Sequence, residues 1–216
     1  MTTLAEQFLT AEERQTVTEA VQAAEKNTSG EIVPMIASES HSYPVAPIVG
    51  GVFFALPIAL LSARLFGGLL WLGTDNMWLF LIFFTIYYTI GYISVKRIPR
   101  LKRLFFSPIR ADLAVKEAAA AAIFSEALHD TRDANGILLY ISVFEHRVWV
   151  LGDRGIDDKI DPQTWQEIVD LVSSGIKQGS PCQAICDGID RIGSVLEEHF
   201  PIKADDRNEL HNLIIR

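Results

Sequence analysis

The chain has 216 residues, 27 acidic and 19 basic, for a formal net charge of −8. Hydrophobic residues make up 49% and charged residues 21%, which excludes a disordered, collagen-like or acidic solvating chain, and a mean hydropathy above zero sits awkwardly with a purely soluble domain. Two cysteines exclude a disulfide-stapled scaffold and a four-thiolate zinc site.

The charge is segregated along the chain. Residues 1–41 carry net −5, residues 42–95 hold only Arg64 and Asp75, residues 96–110 carry +6 with no acid, and residues 111–216 carry −9. The length suits one domain with an appendage, and the uncharged block is the appendage.

In chain order, Thr10, Glu12 and Glu13 open a helix through a capping box, with Val17, Ala20, Val21 and Ala24 at helical spacing. Thr28-Ser29-Gly30 stops it. Residues 32–36 read as a strand, and Pro34, lacking an N–H, predicts an edge position. Residues 42–63 and 76–95 are two uncharged apolar runs long enough to cross a hydrocarbon core of about 30 Å. Pro47 and Pro57 kink the first run or mark its edge. Residues 64–75, with Gly67, Gly68 and Gly73, form the connecting turn, and Arg64 snorkels from the end of the first span. Trp71, Trp78, Tyr87, Tyr88 and Tyr92 suit interfacial or lipid-facing positions.

The basic run that follows sets the orientation. Lys96, Arg97, Arg100, Lys102 and Arg103 form a juxtamembrane collar that stays in the cytoplasm. The N-terminal stretch is acidic and has no apolar run, so no secretory signal is read there. The expected location is a bacterial inner (cytoplasmic) membrane, multi-pass, with both termini cytoplasmic. No basic surface suits nucleic acid.

Residues 112–129 read as an alanine-rich helix, residues 130–136 as a polar turn, and residues 137–143 and 148–151 as an antiparallel hairpin. Asp161 caps a helix with Pro162 in its first position, striped by Trp165, Ile168, Val169, Val172 and Ile176. A last helix carries Ile185, Ile189, Ile192 and Leu196 on one face. Strands and helices alternate, which predicts an α/β fold, a mixed sheet sandwiched by helices, with an inserted two-helix transmembrane hairpin. The domain is expected to be discontinuous, residues 1–41 with 105–216, around a hairpin and collar at 42–104.

Phe8-Leu9-Thr10-Ala11-Glu12-Glu13, Thr28-Ser29-Gly30-Glu31-Ile32-Val33 and residues 135–142 running to Arg147–Ile156 resemble the TPM-domain family. The Asp205-Asp206-Arg207-Asn208-Glu209-Leu210 tail looks like its uncharacterised bacterial membrane branch. The family includes plant thylakoid-lumen proteins proposed to act as acid phosphatases and a nematode acetylcholine-receptor modulator. The resemblance implies an α/β sandwich. It also implies divalent-cation binding at the turns flanking the strand hairpin. Many relatives carry a signal peptide and work outside the cytoplasm, whereas here the hairpin interrupts the domain and its charges point it inward.

Those turns are also the best polar cluster by residue type. Asp133 and Asn135 precede one strand, and Asp153, Asp157 and Asp158 follow the next. In an antiparallel pair these ends lie side by side, and several oxygen donors suit Ca²⁺ or Mg²⁺. Asp and Asn are equally the ordinary residues of turns. Arg154 is the candidate phosphate or anion contact. Cys182 and Cys186 share a helix face without completing a metal site and read as small buried apolar residues. None of the five histidines falls in a hydrolase or metalloprotease pattern.

The reading favoured by the sequence is a membrane-anchored TPM-like domain acting as an accessory module at the cytoplasmic face. Its partners are the lipid bilayer and a membrane protein or a second copy. The alternative is a metal-dependent, acid-phosphatase-like hydrolase of phosphate monoesters on the same turns. A channel subunit is a third and weaker reading, because the spans offer few polar residues.

Overall fold

The computed structural model describes residues 2–126, 128, 135–157, 159–202 and 210–216. The polar turn at 130–134, the expected helix end at His129, Asp158 and the tail at 205–209 lie outside the described residues.

Strands β1 (Glu31–Ala37), β2 (Gly136–Ser142), β3 (Arg147–Gly152) and β4 (Ile214–Ile215) form one sheet in the order β3-β2-β1-β4. β1 runs parallel to β2 and to β4, and β2 runs antiparallel to β3. The sheet is therefore mixed, as the alternation of elements predicts. Every residue of β1 and β2 is buried, because helices cover both faces. One face of the strands presents Ile32, Ile36, Ile137, Leu139 and Ile141. Against it pack Val17 and Val21 of α2 (Ala11–Glu25), Ile168 and Val172 of α8 (Pro162–Lys177), and Ile185, Ile189 and Ile192 of α9 (Pro181–His199). The alternate residues Val33, Met35, Leu138 and Tyr140 meet Val115, Ala119 and Ala122 of α6 (Pro108–Ser125). β3 lies at an edge and alternates half-buried with buried positions.

Pro34 departs from the sequence expectation in an instructive way. β1 is an inner strand, yet β4 pairs only with Met35 and Ile36. The Ile36 carbonyl accepts from the Arg216 N–H at 2.9 Å, so the backbone groups of the even-numbered β1 residues face the β4 side. Pro34 turns its missing donor to that side, beyond the reach of β4. The Ile32 N–H on the same side is satisfied by Glu25 Oε1 at 3.0 Å. The first half of β1 thus has edge chemistry, which tolerates proline.

Side chains close the helix starts. Thr10 and Glu13 form the predicted capping box of α2, and Thr3 with Glu6 forms another on α1 (Leu4–Phe8), a helix the sequence reading missed. Asp161 accepts from the Gln163 N–H at 2.9 Å ahead of Pro162. α6 begins at Pro108, four residues before the expected 112.

The chain divides into two compact units, Met1–His41 with Asp112–Arg216, and Ser42–Ala111. The second unit holds α3 (Val45–Leu69), α4 (Met77–Arg97) and the short α5 (Pro99–Arg103). α3 and α4 are long and apolar enough to cross a membrane, at about 37 Å and about 31 Å. α3 passes through Pro57 and runs on past Arg64, so the turn is confined to residues 70–76. Small residues line the α3–α4 contact: a Cβ on Gly91 would meet Gly51 Cα at 3.3 Å, and Ala55, Ala59 and Ala63 are buried. Ser62 Oγ and the Tyr87 hydroxyl lie 3.1 Å apart. The bulky side chains face outward instead, with Phe53 65%, Leu61 63% and Trp78 72% exposed.

Candidate functional site

At one end of the sheet β1 and β2 begin and β3 finishes. Glu31 stands in register with Gly136, and Ile137 with Gly152. Backbone bonds lock these ends: the Glu31 N–H donates to the Asn135 carbonyl at 3.2 Å, and the Asp153 N–H to the Gly136 carbonyl at 2.9 Å. The backbones of Asn135 and Asp153 therefore lie at the ends of neighbouring strands.

Their side chains do different work. Asn135 is buried, and its amide Nδ2 donates to the Ser29 carbonyl. It joins the β2 start to the turn after α2. That turn is fixed again where Thr28 Oγ1 donates to the Phe200 carbonyl at 2.6 Å and the Ser29 N–H donates to it at 3.0 Å. Asp153 Oδ1 accepts from the adjacent Arg154 N–H at 2.7 Å. Its Oδ2 is buried and has no hydrogen-bond partner among the described residues. Arg154 opens α7 (Arg154–Asp157) with its side chain exposed. Asp133 and the side chain of Asp157 lie outside the described residues.

The same end holds a buried carboxylate that sequence reasoning passed over, Glu31. A charged residue opening an apolar strand looks like an exposed strand end. Only the turns packed beside it bury it. Glu31 and Asp153 carry carboxylates, the hard-donor type that Ca²⁺ or Mg²⁺ takes, while the Asn135 amide is engaged with the Ser29 carbonyl. The orphaned Asp153 Oδ2 is the observation that fits a cation there. Among the described residues no three His, Cys, Asp or Glu side chains cluster as a metal-binding group.

Residues 110–195 match the TPM-domain family model. That stretch is similar to a TPM domain. The match spans β2, β3 and the helices after them, so Asn135, Asp153 and Arg154 lie within it, and Glu31 and β1 lie outside it. The whole chain is also similar to the NMR structure of the BA42 protein from the psychrophilic bacterium Bizionia argentinensis. The two are 24% identical, with 96% of this chain and 94% of that one covered and a TM-score of 0.59, which is a likeness of fold. Curated proteins show no match.

The opposite end of the sheet carries a second polar group. Ser40 Oγ donates to Ser142 Oγ at 2.9 Å, Ser142 donates to the buried Glu145 carboxylate, and the Ser40 N–H reaches Glu145 Oε1 at 3.0 Å. The Tyr140 hydroxyl lies 3.3 Å from Ser40 Oγ. Burial pushes the Tyr140 phenol above its ordinary value, and Glu145 adds to the shift. On α9, burial raises both thiols, that of Cys186 to about 11 with help from neighbouring Cys182. Low-pKa reactivity is therefore not their chemistry.

In the Ser42–Ala111 unit, Lys96, Arg97 and Arg100 are exposed, while Lys102 and Arg103 are half-buried. Lys102 Nζ lies 5.7 Å from the centre of the Tyr43 ring, which stacks on Phe106 at 4.5 Å.

Proposed function

We propose that this TPM domain is a membrane-anchored accessory module. The α3–α4 hairpin holds it at the cytoplasmic face of a bacterial inner membrane, where it binds a membrane protein or a second copy. The carrying observation is the outward-facing apolar surface of α3 and α4. In water a surface of that extent would aggregate, whereas hydrocarbon solvates it, and both helices satisfy their backbone internally. The collar from Lys96 to Arg103 supports a cytoplasmic start of the chain that follows. In this reading a Ca²⁺ or Mg²⁺ ion orders the end of the sheet through Asn135 and Asp153, with Asp133 and Asp157 as further donors.

The buried, unpartnered Asp153 Oδ2 favours one second reading, a metal-dependent hydrolase of phosphate monoesters. A bound cation would supply charge neutralisation for a phosphoryl group. Asp153 would hold the cation, and Arg154 would orient the phosphate oxygens.

One preparation tests both readings. Membranes carrying the full chain are washed at alkaline pH, and the retained protein is assayed for p-nitrophenyl phosphate hydrolysis with Ca²⁺, Mg²⁺ or chelator, beside Asp153→Ala. Retention without metal-dependent turnover above the variant is the expected outcome. Release by the wash removes the anchoring reading. Metal-dependent turnover that disappears in Asp153→Ala makes the protein an enzyme.

A further inference from the structure

A cavity of about 470 Å³ opens at the end of the sheet away from Asn135 and Asp153. Its floor is apolar, built from Phe8 of α1, Ile141 of β2, Val148 of β3 and Ile176 of α8. Its rim is basic, formed by His146, Arg147 and Lys177, and among the described residues no acidic side chain lines it. This is unexpected in a domain whose two segments carry −5 and −9. A random patch of such a surface would be acid-rich.

Each rim side chain is placed separately. His146 sits at the tip of the β2–β3 turn with φ +54°, a left-handed conformation that a non-glycine residue adopts only where its surroundings hold it. Arg147 gives Nε to the Asp112 carboxylate and Nη1 to the His146 carbonyl at 3.4 Å. The Asp112 pair fixes the guanidinium at the rim. Lys177 ends α8 and is exposed. Ser142, also in the wall, spends its proton on Glu145, and the Ser40 N–H takes up that carboxylate as well. The one buried acid nearby is thus already satisfied.

We propose that this cavity binds a small amphipathic carboxylate: one anionic head at the His146–Arg147–Lys177 rim, and a short aliphatic or aryl body on the Phe8–Ile141–Val148–Ile176 floor. The size falls within the range of small-molecule sites, about 300–1,000 Å³, as does the mixture of an apolar bed with a few convergent polar groups. A basic rim favours an anionic head over a neutral analogue through charge complementarity. The site is independent of the anchoring reading and of any cation at the other end of the sheet.

The test uses the full chain in lipid nanodiscs, labelled at isoleucine δ1-methyls and titrated with hexanoate. Hexanamide supplies the same tail without charge, and acetate the same head without tail. Hexanoate is expected to shift the Ile141 and Ile176 methyls saturably and to leave Ile32, at the far end of β1, in place. Acetate and hexanamide are expected to bind at least about tenfold more weakly. Lys177→Gln combined with His146→Gly is expected to weaken hexanoate by a similar factor, with an unmoved Ile32 methyl reporting an intact fold. Absence of saturation, equal binding of hexanamide, or undiminished hexanoate binding by the variant would overturn the proposal.

Discussion

Asn135 and Asp153 stand side by side yet answer to different demands. Asn135 was legible as a polar residue before a strand, but its use was not. Its amide serves the Ser29 carbonyl, and that carbonyl is brought close only by the parallel pairing of β1 with β2. Glu31 was illegible as a buried carboxylate for the same reason: its burial comes from residues more than a hundred positions away. The thiols were read as small buried apolar groups, and the structure leaves both half-buried. Cys182 and Cys186 lie one helical turn apart and pack against the edge of the core. The folded pKa of Cys186, about 11, exceeds that of an ordinary thiol. Its thiolate therefore emerges only as pH approaches that value. The stability held by the neutral thiol is full below the ordinary value and is lost as pH rises between the two. Iodoacetamide alkylation of Cys186, followed by mass spectrometry, is expected to be still accelerating at about pH 10. A rate that levels off by about pH 9 would contradict the burial argument.

Elements with strong local signals emerged from the sequence nearly whole. The Thr10–Glu13 box, the Asp161–Pro162 start, the stripes of α8 and α9 and the β2–β3 hairpin are written in short-range spacing. α1 carries the same box at Thr3 and Glu6 and went unread only because it spans five residues. β4 is two residues long and has no periodicity to read. Pro34 was read for its missing donor, which was sound, but an inner strand with a short neighbour was not anticipated. The α8–α9 contact relies on small residues. A Cβ on Gly188 would lie 2.4 Å from Val172 Cγ2, and Val172 is itself fully buried. Gly188→Ala is therefore expected to destabilise the fold by about 1–3 kcal/mol through overpacking, despite the better helix propensity of alanine. Thermal unfolding of the full chain beside wild type reads the sign. An unchanged or raised Tm would mean that Val172 has room to turn away.

For the whole molecule, the decisive sequence signal was the distribution of charge: two acidic segments, an uncharged block and a basic run. The two compact units follow a similar division of the chain, Met1–His41 with Asp112–Arg216 against Ser42–Ala111. Sidedness belongs to this scale too. Replacing Lys96, Arg97, Arg100, Lys102 and Arg103 together with Gln is expected to weaken the orientation signal. A cysteine in place of Thr74, in the turn between α3 and α4, should be labelled from outside the cytoplasm by an impermeant maleimide. Labelling is expected to fall in the collar variant, and an unchanged level would separate orientation from the collar. The pairing of β1 with β2 also sets a timetable for biogenesis. β1 ends at residue 37 and its partner starts at residue 136. At a synthesis rate of about 5–20 residues per second, β1 waits roughly 5–20 s for that partner. During this interval both long apolar helices leave the ribosome, while a strand destined for complete burial has an open edge. In the anchored reading, delivery to the bilayer would precede closure of the sheet, and a fault in delivery would first be seen as misfolding of a domain whose own sequence is intact.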